Sequence, residues 1–130
     1  MDENKLPVGE ELMGVSCVRV EEFGGGDLSL DSVRLRFMSV TMILTPIVDS
    51  DEIAIQLSDV PTDGSSGDPP DMLRPLIGKK LQSAWICTNV NGYQDLVLLA
   101  IDGISPNVGF LSEGSSIKIL RLGKETRQQQ

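Results

Sequence analysis

Residues 82–102 read Gln82-Ser83-Ala84-Trp85-Ile86-Cys87-Thr88-Asn89-Val90-Asn91-Gly92-Tyr93-Gln94-Asp95-Leu96-Val97-Leu98-Leu99-Ala100-Ile101-Asp102. Two β-rich runs flank Asn91-Gly92, the dipeptide suited to a two-residue type I′ hairpin turn, where both central residues need positive φ. The implied register pairs Val90 with Tyr93, Thr88 with Asp95, Cys87 with Leu96 and Ile86 with Val97. Residues 96–101 are apolar on both faces, which predicts a central strand covered on both sides. A β-hairpin at the centre of the fold is the starting point.

The same period of two recurs upstream. Val33, Leu35 and Phe37 alternate with Arg34 and Arg36, a half-buried strand with a wet face. A strand over 41–48 follows, whose Pro46 lacks a ladder donor and calls for an edge or a bulge. Ile53, Ile55 and Leu57 mark another strand, and an earlier one spans about 14–22. Gly24-Gly25-Gly26-Asp27 is a flexible loop; it lacks the spacing and the following helix that a phosphate cradle needs. Residues 58–71 hold three Pro, two Gly, four Asp and no base, which predicts a long exposed acidic loop. Asp71 is placed to cap a short helical turn that Pro75 interrupts and Gly78 ends. Downstream of the hairpin, Ser105-Pro106-Asn107 and Glu113-Gly114 predict a loop, followed by a last strand near 117–122. The expected fold is mainly β: an antiparallel meander of about seven strands with one short helix, forming a small barrel or sandwich. Its parts are an N-terminal segment at 1–13, one domain over 14–122 and a polar tail at 123–130.

Length and composition agree with that single domain. The chain has 130 residues, of which 40% are hydrophobic, enough for a real core. It has no His, which removes the Ser-His-Asp triad, the Cys-His dyad and His-ligated metals. Cys17 and Cys87 lie far apart in apolar alternating runs, so they form no CxxC pair and read as reduced core thiols. The acidic start is not followed by an apolar stretch, and no window has the roughly 18 apolar residues of a membrane span. The expected location is cytoplasmic, with no membrane contact and no cofactor.

The net charge is −8, unevenly spread. Residues 1–71 carry 15 acids and 4 bases; residues 72–130 carry 4 acids and 7 scattered bases. Such a surface repels phosphate backbones, and with one Trp, one Tyr and three Phe there is no stacking platform for bases. Nucleic acid is therefore not expected as a partner.

Several clusters are candidates for function. Asp49, Asp51 and Glu52 place three carboxylates at a turn, the chemistry hard cations prefer, but without the spacing of a calcium loop. They read as a solvated turn or as an acidic knob facing a partner. Asp63 and Asp68 belong to the long acidic loop, whose irregular Asp spacing supports no metal site; it is a solvated loop or an arm that orders on a basic partner. Around the hairpin, Asn89, Asn91, Gln94 and Asp95 accompany Tyr93, the lone tyrosine. Turn chemistry accounts for Asn91-Gly92, whereas Tyr93 beside Asp95 suits a binding edge. Asp95 and Asp102, seven residues apart on a strand, face opposite sides and do not make a paired-carboxylate site.

Three stretches, Val33-Arg34-Leu35-Arg36-Phe37, Asp49-Ser50-Asp51-Glu52-Ile53 and Asn91-Gly92-Tyr93-Gln94-Asp95, together resemble a small uncharacterised bacterial family of β-rich single-domain proteins. The resemblance spans roughly residues 15–121 and implies a bacterial source and no particular reaction. Size and charge add an analogy, since small acidic bacterial proteins often neutralise toxins. The expected function is a non-catalytic protein-binding module that docks a basic partner through Asp49, Asp51, Glu52, Asp63, Asp68, Tyr93 and Asp95. Its sharpest form is an immunity-like protein. The alternatives are a small-ligand-binding barrel and a domain that self-associates through an open sheet edge as a homodimer. An enzyme working with carboxylates alone stays open.

Overall fold

A computed structural model describes residues 6–19, 29–47, 49–59, 69–114 and 116–122. Eight antiparallel strands form one curled sheet: β1 (Leu12–Arg19), β2 (Ser29–Phe37), β3 (Thr41–Ile47), β4 (Glu52–Ser58), β5 (Leu81–Thr88), β6 (Gln94–Ile101), β7 (Val108–Glu113) and β8 (Ser116–Arg121). The sheet runs β4-β3-β2-β8-β7-β6-β5, with β1 on the other side of β2. The mainly-β, antiparallel expectation holds. The short helix is a single 3-10 turn at Arg74–Leu76 with Pro75 in its first turn. Asp71 does not cap it. Its Oδ1 instead accepts from Arg74 Nε at 3.2 Å.

Strand β2 gives the sheet its shape. Along one edge it pairs with β1 from Leu30 to Phe37. The opposite edge is shared: Ser29 and Leu30 pair with Lys118 and Ile117 of β8, while Val33–Arg36 pair with Thr41–Leu44 of β3. The β3–β4 hairpin thus leaves the path of β5–β8 and contacts β6, β7 and β8 across the interior. Pro46 lies beyond the last β2 partner, Leu44, so its missing N–H costs no ladder bond on that side.

The curl is tied at one corner. Gly9 N–H donates to Leu81 O (2.7 Å), Leu81 N–H to Glu10 O (2.9 Å), Leu12 N–H to Lys79 O (2.8 Å) and Gly78 N–H to Leu12 O (2.8 Å). These bonds join the start of β1 to the start of β5. Beside them, Glu10 accepts from both Ser39 N–H and Ser39 Oγ, at 2.8 and 2.6 Å, and holds the β2–β3 turn. Leu6 is already in the core, so burial begins ahead of β1. That core fills the interior with Leu30, Val33 and Leu35 from β2, Met42 and Leu44 from β3, Val97 and Leu99 from β6, and Phe110 from β7. Each of these is at most 1% exposed, and burial of a side chain this size contributes about 1.5–3 kcal/mol.

Three sequence expectations need correction. The stretch after 102, expected as loop, contains β7. Gly109 there looks like a breaker, yet it sits opposite Leu98, where a Cβ would come within 2.9 Å of Leu98 Cδ2. Strand β6 lies next to the edge strand β5, and only its inner face is fully covered. Val97, Leu99 and Ile101 are buried, whereas Leu96 and Leu98 on the other face are partly exposed. The hairpin is also not a two-residue turn. Asn89 N–H donates to Tyr93 O (2.8 Å), Gly92 N–H donates to Asn89 O (2.9 Å), and Gly92 alone takes positive φ (+90°). This is a three-residue loop ending in a left-handed glycine. Cys87 pairs with Leu96 and Ile86 with Val97 as expected, but Thr88 pairs with Gln94, leaving Asp95 as the extra residue of a bulge.

Candidate functional site

The carboxylates singled out from two distant stretches meet at the end of the sheet away from the tied corner. The β3–β4 turn brings Asp49, Ser50 and Asp51; the β5–β6 turn brings Asn89, Asn91, Tyr93 and Asp95; the end of β7 brings Leu111, Ser112 and Glu113. Together they line an open cleft of about 490 Å³.

Each wall has its own local cause. Asp49 and Asp51 both have positive φ, +86° and +57°. Asp tolerates this region better than most residues, but the conformation still stores strain of about 1–3 kcal/mol per residue. Ser50 links the turn to β4, its Oγ donating to Glu52 Oε1 at 3.1 Å. On the opposite wall Asn89 is the hub. Its Oδ1 accepts from Asn91 N–H (2.8 Å) and Tyr93 N–H (3.2 Å), and its Nδ2 donates to Asp95 Oδ2 (3.2 Å). The bulge at Asp95 and this amide set the carboxylate beside Tyr93, which is 45% exposed.

The third wall holds the residues the sequence reading missed. Ser112 is 3% exposed, and its Oγ has no hydrogen-bond partner among the described residues. Glu113 is exposed at the rim, with Lys118 Nζ at 3.8 Å. Both fall in the stretch between Ser105-Pro106-Asn107 and Gly114, and reading it as loop hides the alternation of Val108, Phe110 and Ser112 on one buried face.

Of the residues expected to meet a partner, the structure gathers Asp49, Asp51, Tyr93 and Asp95. Glu52 does not line the cleft; it is bound by Ser50 at the start of β4. Asp63 and Asp68 lie outside the described residues. Asp102 lies at the far end of β6, paired with Lys79 at 3.4 Å. No Lys or Arg among the described residues lines the cleft. Among the described residues, no three His, Cys, Asp or Glu side chains converge closely enough to hold one metal ion. The negative charge is spread along the walls instead.

A smaller groove of about 230 Å³ opens at the tied end, lined by Met13, Phe37, Met38, Arg36 and their neighbours. Cys17 and Cys87 are not joined in a disulfide; the first is buried and the second partly exposed. No helix among the described residues is long and apolar enough to cross a membrane.

A model described as a family of unknown function, DUF6334, matches residues 1–126. The chain belongs to the DUF6334 family. Neither a curated protein nor a solved structure matches it. For this DUF6334 chain the match covers all three walls of the cleft, because residues 49–51, 89–95 and 111–113 fall inside it.

Proposed function

We propose that this protein is a non-catalytic binding module whose acidic cleft docks a basic protein partner. The supporting observation is that Asp49, Asp51, Asp95 and Glu113 line the same cleft as Tyr93, with no base among its described lining residues. Carboxylates so exposed steer a basic partner during encounter and select it over acidic competitors. An exposed aromatic at the rim gives such an interface an anchor. An immunity-like role in a bacterial cytoplasm, against a basic toxin, is the specific form of this reading.

Affinity capture from an extract of the protein's own cells tests it, at low and high salt, with wild type and an Asp49→Asn/Asp51→Asn/Asp95→Asn variant as baits. A basic protein that binds the wild type, elutes with salt and is lost from the variant supports the reading. A partner held equally by both baits at both salts overturns it, and so does capture of nothing at either salt.

A second reading, self-association, has its own support in β5. Residues 82–88 carry no charge and no Pro, and Trp85 is 37% exposed there. Past Leu81, the outer edge of β5 pairs with no strand among the described residues. Edges of this kind are commonly guarded by Lys or Pro. Sedimentation equilibrium of wild type and Trp85→Lys separates the two readings. A dimer broken by Trp85→Lys supports self-association, and a wild-type monomer at all concentrations removes it.

A further inference from the structure

Ser112 lines the cleft, and its buried hydroxyl has no hydrogen-bond partner among the described residues. We infer that the cleft seats one arginine side chain, its guanidinium reaching Ser112 Oγ while the surrounding carboxylates balance its charge. The inference rests on the acidic-docking reading above and names the group that reading leaves open.

The argument begins with the hydroxyl. Ser112 is 97% buried, on the inner face of β7 opposite Ile117, and its Oγ has no partner among the described residues. A buried polar atom without a partner has lost its water and gained nothing in return, so such atoms are rare unless something arrives to bond them. Ser112 also lines the cleft that Asp49, Asp51 and Asp95 surround. The arriving group therefore meets an oxygen at depth and anionic oxygens above it. This arrangement calls for a cation with several N–H donors.

Two features favour guanidinium over other cations. The carboxylates do not converge on one point, which suits a broad charge better than a compact one. Arginine spreads its charge over a planar fork of five donors, whereas lysine concentrates it on a strongly hydrated ammonium. Tyr93 stands at the rim, and an aromatic ring attracts a guanidinium over its face.

The test is an amide-resonance titration of the full chain with N-acetyl-arginine methylamide and, separately, N-acetyl-lysine methylamide. The arginine probe is expected to shift the resonances of Ser112, Asp95 and Asp51 together and to bind at least three-fold more tightly than the lysine probe. Ser112→Ala is expected to weaken the arginine probe three- to ten-fold while leaving the unfolding midpoint of the free protein unchanged or higher, because the hydroxyl lost was unpaired. A Ser112→Ala variant that unfolds earlier shows the hydroxyl to be structural and overturns the inference. Equal binding of the two probes, or shifts confined to residues 49–51, also overturns it.

The capture experiment keeps the two proposals apart. If the Asp49/Asp51/Asp95 variant loses the basic partner but neither probe moves Ser112, the docking reading stands and the arginine seat falls. If the partner binds that variant as tightly as wild type, both fall.

Discussion

At the end where β1 meets β5, Glu10 is held by Ser39, Lys79 lies 3.4 Å from Asp102, and Asn107 bonds both backbone groups of Ile101. At the other end, Asp49, Asp51 and Asp95 stand around a cleft that no base among the described residues lines, and Ser112 Oγ has no partner among them. Positive φ occurs at both ends, at Asp102 (+66°) as well as at Asp49 and Asp51. The difference lies in what the side chains meet. Asp102 finds a lysine, and its N–H donates to Lys80 O at 2.9 Å. The two turn aspartates face the cleft. One end of the sheet pairs its aspartate with a base, and the other leaves its strained aspartates facing the cleft, a pattern that binding sites commonly share.

Substitutions can probe this contrast directly. The largest effect is expected for Leu81→Ala at the tied corner, where the side chain is fully buried and the neighbouring backbone bonds close the curl. Chemical denaturation should show a loss of about 2–5 kcal/mol. Asn107→Ala comes next. It strands the Ile101 N–H and carbonyl, bonded at 3.0 and 2.7 Å, and should cost about 1–3 kcal/mol in the same assay.

The sign should reverse at the cleft. Asp49→Gly and Asp51→Gly relieve a left-handed aspartate at the expense of a freer unfolded chain, so each is expected to stabilise by about 0.5–1 kcal/mol. Their loss of partner binding, read by the capture assay, would mark the strain as functional. If either glycine variant is less stable than wild type, the contrast between the two ends fails. The smallest effect is expected for Glu113→Gln. Its pair with Lys118 is long, at 3.8 Å, and largely exposed, so stability should change by no more than about 0.5 kcal/mol.

Much of the fold could be read from the sequence because alternation along a strand is a local signal. Val33, Leu35 and Phe37 point inward just as their spacing requires, and Asn91-Gly92 located the hairpin. The turn type was out of reach. It depends on Asn89, whose side chain accepts from two backbone N–H groups and whose backbone, in place of that of Val90, meets Tyr93. The β7 strand is masked by the turn residues Ser105-Pro106-Asn107 and Glu113-Gly114 at its two ends, and the role of its Gly109 comes from the close approach of Leu98 on a neighbouring strand. The cleft was half legible. Its acidic and aromatic residues stood out by type, but their meeting joins segments about 40 residues apart, and Ser112 carries no local mark. Contacts of that range are set by topology, which short sequence windows do not contain.

The shared edge of β2 has a consequence in time. Its pairing with β3 needs only the next few residues, but its pairing with β8 joins Leu30 to Ile117. During synthesis the β1–β3 unit can form early, while the two residues reserved for β8 wait until nearly the whole chain has emerged. Closing so long a loop is slow, since its entropy must be lost before the contact forms. The growing chain therefore carries an unfinished sheet edge for most of its synthesis, a period when unpaired strands are prone to join the wrong neighbour. Burying the apolar interior of this molecule is among its last folding events.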